Sequence, residues 1–281
     1  MSHTDRAFIA ALQQASAAAP PNGFALGGPH YVSAQSVETT AKAPLSAHLA
    51  KRRAERQQPE PPKVDPPAAQ PAVACPPERF TPGIELESLS WPAVAQQLAH
   101  AGRDALLEVL TNLAEQTPSA TPVVALVGAR PGVGATTTLL ALARIVGGAG
   151  GKTAILDLTA EAGAAAQLGV RRIAGVSPTF DPRSIDDLAI VSREDQTTVV
   201  ALGPDASPAI VQSASTRLAG AHDLVLIDAG PAAVAATRLG LGVMAVVIDA
   251  APSDSTAIAA CQKALAAVGV AGIVETFAAV G

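Results

Sequence analysis

The stretch Val127-Gly128-Ala129-Arg130-Pro131-Gly132-Val133-Gly134-Ala135-Thr136-Thr137-Thr138 decides the fold. An apolar run at 123–127 precedes it, and a helical pattern at 136–146 follows. A buried strand that turns through glycines into a helix is the setting a phosphate-binding loop requires. Gly132 and Gly134 let the backbone turn tightly, so successive N–H groups face one concavity. The helix adds its N-terminal donors and the positive end of its dipole. The residues expected around a phosphate are Arg130, Gly132, Val133, Gly134, Ala135, Thr136 and Thr137. Thr136 sits where a hydroxyl would reach Mg²⁺.

The same pattern continues on the carboxyl side. Val/Ile/Leu-rich runs at 123–127, 154–156, 198–202, 224–227, 243–248 and 272–274 alternate with helix candidates near 136–146, 208–218 and 255–268. Continuous apolar strands separated by helices predict an α/β fold, a mostly parallel sheet covered by helices on both faces. Ligands in such sheets bind at the carboxyl ends of the strands. Two strand ends carry acids there, Asp157 in Ile155-Leu156-Asp157-Leu158-Thr159 and Asp228 in Leu226-Ile227-Asp228-Ala229-Gly230-Pro231. With Thr136, these carboxylates form the expected metal set, suited to magnesium carried by a nucleotide.

Composition narrows the remaining classes. The chain has 281 residues, 49% hydrophobic but only 2% aromatic, so its core is built from Ala, Val, Leu and Ile. Residues 1–83 hold 8 basic and 6 acidic groups, and the remainder 11 and 18. A mildly acidic globular part lacks the basic stripe of a nucleic-acid-coating protein, and no nucleic-acid partner is expected. Cys75 and Cys261 stand far apart, which argues against a zinc site or disulfide framework. Cys261 lies in an apolar helical pattern and is expected in the core. No run reaches the ~18 apolar residues of a membrane span. The short apolar stretch 7–12, followed by Gln13-Gln14, is read as uncleaved, and the protein as cytoplasmic.

Three segments are expected. Residues 1–83 hold 13 of the 23 prolines and are expected to be a disordered arm. Within it, Thr4 could cap a short helix bearing Phe8, Ile9 and Leu12, a peptide that folds on a partner or a frayed terminus. Lys51-Arg52-Arg53 with Arg56 is a small basic cluster, read as linker charge. Residues 84–120 should hold one packing helix over 91–116, capped by Ser90 with Pro92 in its first turn. Residues 121–281 form the phosphate-loop domain.

On these motifs the chain resembles the MinD/ParA class, and more closely the cytoplasmic ATPase domain of bacterial tyrosine kinases of capsular and exopolysaccharide systems. The resemblance spans roughly residues 121–281. Asp157 matches the acid of the family's Walker A′ motif, and Asp228 with Gly230-Pro231 its Walker B strand. Gly203-Pro204 through Ser207-Pro208 to Gln212-Ser213 resembles the stretch before Walker B. Leu168-Gly169-Val170 with Gly175 resembles the segment after Walker A′.

The departures matter more. The family's loop lysine is replaced by Ala135, its signature lysine aligns with Arg130, and two other loop positions are Ala129 and Pro131. A charge-assisted hydrogen bond contributes roughly 1.5–3 kcal/mol, so the lost lysine weakens nucleotide binding on the order of ten- to a hundredfold. Thr159 stands for the second Walker A′ acid, and Thr276 for the asparagine that contacts the base in relatives. The family's terminal tyrosine cluster has no counterpart, since Tyr31 in the arm is the single tyrosine.

Three functions stay open. The first is a degenerate ATPase, a pseudokinase with ATP and Mg²⁺ binding weakened or lost and no catalytic residue assigned beyond Arg130 as a charge substitute. It would regulate or scaffold polysaccharide synthesis or export. Its N-terminal helix would dock on a membrane polysaccharide co-polymerase or assembly factor, which places it peripherally at the inner membrane face. The second is a slow but active Mg·ATP-dependent ATPase. The third is a positioning switch that forms a homo-oligomer around nucleotide.

The remaining polar groups have plainer expectations. His3, His30, His48, His100 and His222 lack metal spacing and are expected at surfaces or turns. Asp186-Asp187 and Glu194-Asp195 are expected as solvated or capping acids, and Arg171-Arg172 as a surface pair.

Overall fold

The structure, a computed structural model, describes residues 80–116, 121–159, 163–170, 184–231, 238–239, 244–249, 255–267 and 272–277, with Ala235. The expected arm helix, Tyr31, the 51–56 basic cluster, Cys75, Arg171-Arg172 and Gly175 lie outside the described residues.

Eight strands make one sheet. In chain order they are β1 (Ile84–Leu86), β2 (Val123–Gly128), β3 (Thr153–Asp157), β4 (Ile190–Ser192), β5 (Thr197–Ala201), β6 (Leu224–Pro231), β7 (Met244–Asp249) and β8 (Gly272–Phe277). Their spatial order is β1-β4-β5-β3-β6-β2-β7-β8. Every pair is parallel except β4–β5, which is antiparallel. The six expected strands are all present. The two short strands, β1 and β4, were not expected, because three residues are too few to show a period.

Seven helices accompany the strands among the described residues: α1 (Ala93–Ala101), α2 (Arg103–Gln116), α3 (Ala135–Gly148), α4 (Ala164–Gln167), α5 (Ser184–Leu188), α6 (Pro208–Ala219) and α7 (Ser255–Ala267). They divide between the two faces of the sheet. Strand residues alternate, so Val124 and Leu126 of β2 point to one face and Ala125 and Val127 to the other. The first face packs Leu98 of α1, Leu106 of α2, Leu139 of α3 and Ala165 of α4. The second packs Val211 and Leu218 of α6 with Cys261 and Leu265 of α7. Cys261 is buried, as its apolar helical pattern predicts.

The helix expected over 91–116 is broken. Gly102 ends α1, its N–H bonding to Leu98 O at 2.8 Å, and α2 starts at Arg103. Ser90 does not cap it; Pro92 holds the N-cap position. The pair covers α3, which explains why α3 is apolar almost all round. Residues 138–143 of α3 are buried without interruption.

Candidate functional site

The loop leaves the carboxyl end of β2, near the middle of the sheet, and runs straight into α3. Gly132 and Gly134 sit at φ +79° and +90°, in the left-handed region that favours glycine. A Cβ at either would meet nothing within 4 Å, so conformation and not crowding requires glycine there. Gly128 is the reverse case, since a Cβ would lie 2.9 Å from Arg130 O and 3.0 Å from Val133 Cγ2. Val133 is buried beneath the loop, while Arg130, Pro131 and Gly132 are exposed. Thr136 and Thr137 lie in the first turn of α3, half-buried. Ala135, where a relative's lysine would stand, is 7% exposed and belongs to the apolar cluster that includes Leu139.

The two acids meet beside this loop. Asp157 ends β3, Asp228 lies in β6, and the two are direct cross-strand partners. Alternation puts both on the face that carries α3 and α4. A register shift between β2 and β6 falls at this point: Leu126 pairs with Asp228, but Val127 pairs with Gly230. Such bulges commonly re-aim side chains next to functional sites.

Every oxygen of the pair but one is bonded. Thr136 Oγ1 donates to Asp228 Oδ2 at 2.9 Å, and the Ala164 N–H donates to the same oxygen at 3.0 Å. Asp157 Oδ1 accepts from Thr159 N–H at 2.8 Å and Thr159 Oγ1 at 2.7 Å. Asp157 Oδ2 accepts from Ala165 N–H at 2.8 Å. Asp228 Oδ1 is buried and has no hydrogen-bond partner. The sequence brings Thr136, Asp157 and Asp228 together as expected. It did not reveal that successive amides of α4 bind both acids. The available signal was Gly163, which opens the alanine-rich run 163–167. Its Cβ would lie 1.7 Å from Thr159 Oγ1 and 2.5 Å from both Asp157 carboxylate oxygens, so only glycine lets α4 come this close.

Burial raises the Asp228 pKa to about 6, and the neighbouring Asp157 charge adds to the rise. The Thr136 hydroxyl and the Ala164 amide oppose it. A buried orphan oxygen beside a second carboxylate fits a divalent cation, which would relieve both burdens. Among the described residues no cluster of three His, Cys, Asp or Glu side chains forms. A cation here would therefore be held by Asp228, Asp157 and the Thr136 hydroxyl. Magnesium accepts one or two carboxylates when phosphate oxygens complete its shell.

Two expectations about other polar residues are corrected, and His222 lies at the turn after α6 but is buried there. Asp186 is not a solvated acid: its carboxylate takes Arg217 Nε at 3.0 Å and Nη2 at 2.6 Å, and the Thr81 N–H at 2.9 Å. Asp195 is 6% exposed and accepts from Arg144, from Ser192 Oγ at 2.7 Å and from Leu89 N–H at 2.7 Å. His222 is 4% exposed, between Leu218 O at 2.8 Å from Nδ1 and Thr198 Oγ1 at 2.6 Å from Nε2. Each has a partner far away in sequence, which local pattern does not show.

The fold and loop together define an α/β domain of the phosphate-loop kind. No protein-family model matches the chain, and no curated protein does. Among solved structures it is similar to the kinase domain of the Escherichia coli tyrosine kinase ETK, at 16% identity and TM-score 0.47, over 66% of this chain and 76% of that one. It is also similar to the VpsO kinase domain, at 17% identity and TM-score 0.48, over 65% and 95%. The BceF tyrosine kinase domain matches at 16% identity and TM-score 0.38, over 65% and 76%. Among the described residues no helix is long and apolar enough to cross a membrane.

Proposed function

We propose that this chain is a degenerate phosphate-loop ATPase, a pseudokinase that regulates or scaffolds exopolysaccharide or capsule synthesis or export. The observation that carries the proposal is Ala135. A buried methyl group occupies the position where the resemblance implies the phosphate-binding lysine, while Thr136 and Asp157, which would hold magnesium with Asp228, lie beside that acid. Phosphoryl transfer depends on neutralising charge in the transition state, and a methyl group supplies none. The site would hold Mg·ATP weakly through Thr136, Asp157, Asp228 and the amides and side chains of 130–137, without fast turnover. Its output is conformational. The resemblance noted in the sequence implies a membrane polysaccharide co-polymerase or assembly factor as partner, contacted through the N-terminal arm at the inner membrane face.

A melting scan of the full chain with and without excess Mg·ATP tests the binding half. Ligand at a hundred times its Kd stabilises by about 2.7 kcal/mol, which raises Tm by about 2–4 °C at this size. The shift should be absent in Asp228→Ala. No shift at millimolar Mg·ATP would sink the nucleotide part of the proposal.

A second reading, a slow but active ATPase, draws on Arg130, which is exposed in the loop and keeps a positive charge there. Under it, Arg130→Ala abolishes turnover. Under the first reading that substitution changes turnover little, and in a nucleotide-dependent homodimer it would instead break the dimer.

A further inference from the structure

A cavity lies at the opposite end of the strands from the acid pair. Its volume is about 700 Å³, within the roughly 300–1,000 Å³ of small-molecule sites. It opens at the amino ends of β3, β5 and β6, roughly 15 Å of strand away from Asp157. Lys152, Arg193 and Arg217 line it, and no Asp or Glu does. Arg193 is paired with Glu85, and Arg217 with Asp186. Lys152 is exposed; its backbone N–H donates to the buried Asp223 carboxylate at 2.9 Å, and its side chain joins none of the ion pairs among the described residues. The carboxyl end of α6 also borders the cavity, and its free carbonyls would repel an anion. They are not free: Leu218 O accepts from Ala221 N, His222 N and the His222 ring, and Ala219 O accepts from Thr121 Oγ1. Glu85, Asp186 and Asp223 offset the cationic charge around the cavity, which leaves the Lys152 ammonium, outside the ion pairs among the described residues, as its positive group.

Part of the lining is apolar. Phe80 stands edge-on to the His222 ring, with centroids 5.3 Å apart. Val191 and Ala221 complete the apolar lining, and the exposed Thr216 of α6 stands at the rim. The buried His222 and Thr198 bond to each other, so the floor asks nothing of a ligand beyond shape. We propose that this cavity binds a small organic anion, an apolar ring system carrying one acidic group, with Lys152 as its counter-charge. The site is separate from the loop and stands whether or not nucleotide binds there.

Anilinonaphthalene sulfonate, a flat apolar anion, is the probe. It is titrated into the folded full chain at neutral pH and low salt, and fluorescence is read. One saturable site is expected. Lys152→Ala, a change at an exposed side chain, should weaken it about tenfold, as loss of one charge-assisted contact does. Thr216→Trp, which fills the cavity from the outer face of α6, should remove it. Uncharged N-phenylnaphthylamine should bind about tenfold less tightly, and Mg·ATP should not displace the sulfonate. Melting curves establish that both variants are folded. Absence of a saturable site, equal affinity in the Lys152→Ala chain, equal binding of the uncharged probe, or displacement by Mg·ATP would each overturn the proposal.

Discussion

Thr136 in the first turn of α3 donates its hydroxyl to Asp228 Oδ2 across 2.9 Å, which ties the loop helix to the acid of β6. The contact lies where a nucleotide-bound magnesium would have to enter. A divalent cation bound there would be held by the Thr136 hydroxyl and the Asp228 carboxylate, in place of the bond between them. The loop and the acid pair are thus one unit, and disturbing either should be felt by the other.

Asp228 makes the site sensitive to pH. Its folded pKa of about 6 exceeds the usual 3.8, so the folded chain holds its proton more tightly than the unfolded chain. Stability from this group is present at low pH and falls as pH rises from about 4 to 6. Asp228→Asn keeps an oxygen for Thr136 and Ala164 but removes the buried charge. At pH 7 and without magnesium, the variant should be more stable by about 2–3 kcal/mol, as a shift of this size implies. Near pH 4 the two should be equal. Urea melts at both pH values check this, and a less stable variant at pH 7 would refute it.

Gly163 should tolerate nothing larger. Gly163→Ala puts a methyl group onto Thr159 Oγ1 and Asp157, and so forces α4 away from the acids. The amides of Ala164 and Ala165 would then leave both carboxylates, at a cost of about 1–3 kcal/mol. Any Mg·ATP-dependent melting shift should shrink with it. Thermal melts with and without Mg·ATP read both effects.

Asp195 anchors the N-terminal segment to the sheet. It joins Leu89 N–H, Ser192 and Arg144, whose guanidinium also lies 5.4 Å from the Trp91 ring centroid. Burial works against its ionised form, but the bonds from Ser192 and Leu89, with Trp91 and the Arg144 charge, outweigh it and lower the pKa. That stability is present above the unfolded pKa and is lost as pH falls below it. Asp195→Ala leaves a buried amide without a partner and should cost about 2–4 kcal/mol in urea. Limited proteolysis should then cut near residues 87–92 sooner than in the parent chain.

The sequence made the centre of the fold legible and its edges less so. The strands flanking the loop are apolar on both faces and five or more residues long, so β2, β3, β5, β6, β7 and β8 were all readable. β1 and β4 were not: each is three residues long, too short to show a period, and β1 finds its partner β4 only across more than a hundred positions. The break at Gly102 was hidden by an apolar face that continues across it; one glycine costs a helix only about 1 kcal/mol, too little to predict a break. Within the site, Thr136, Asp157 and Asp228 could be placed because each sits at a fixed step from a strand end. The clamp from α4 was not placed: backbone amides leave no mark in a sequence, and its one trace, Gly163, is a single glycine before a run of alanines.

Ala135 remains the centre of the account, and returning its lysine tests it most directly. Mg·ATP should be titrated calorimetrically into the full chain and into Ala135→Lys. The account predicts binding on the order of ten- to a hundredfold tighter in the lysine variant, as one restored charge-assisted phosphate contact provides. Equal affinities in the two chains, or no binding by the lysine variant, would contradict it.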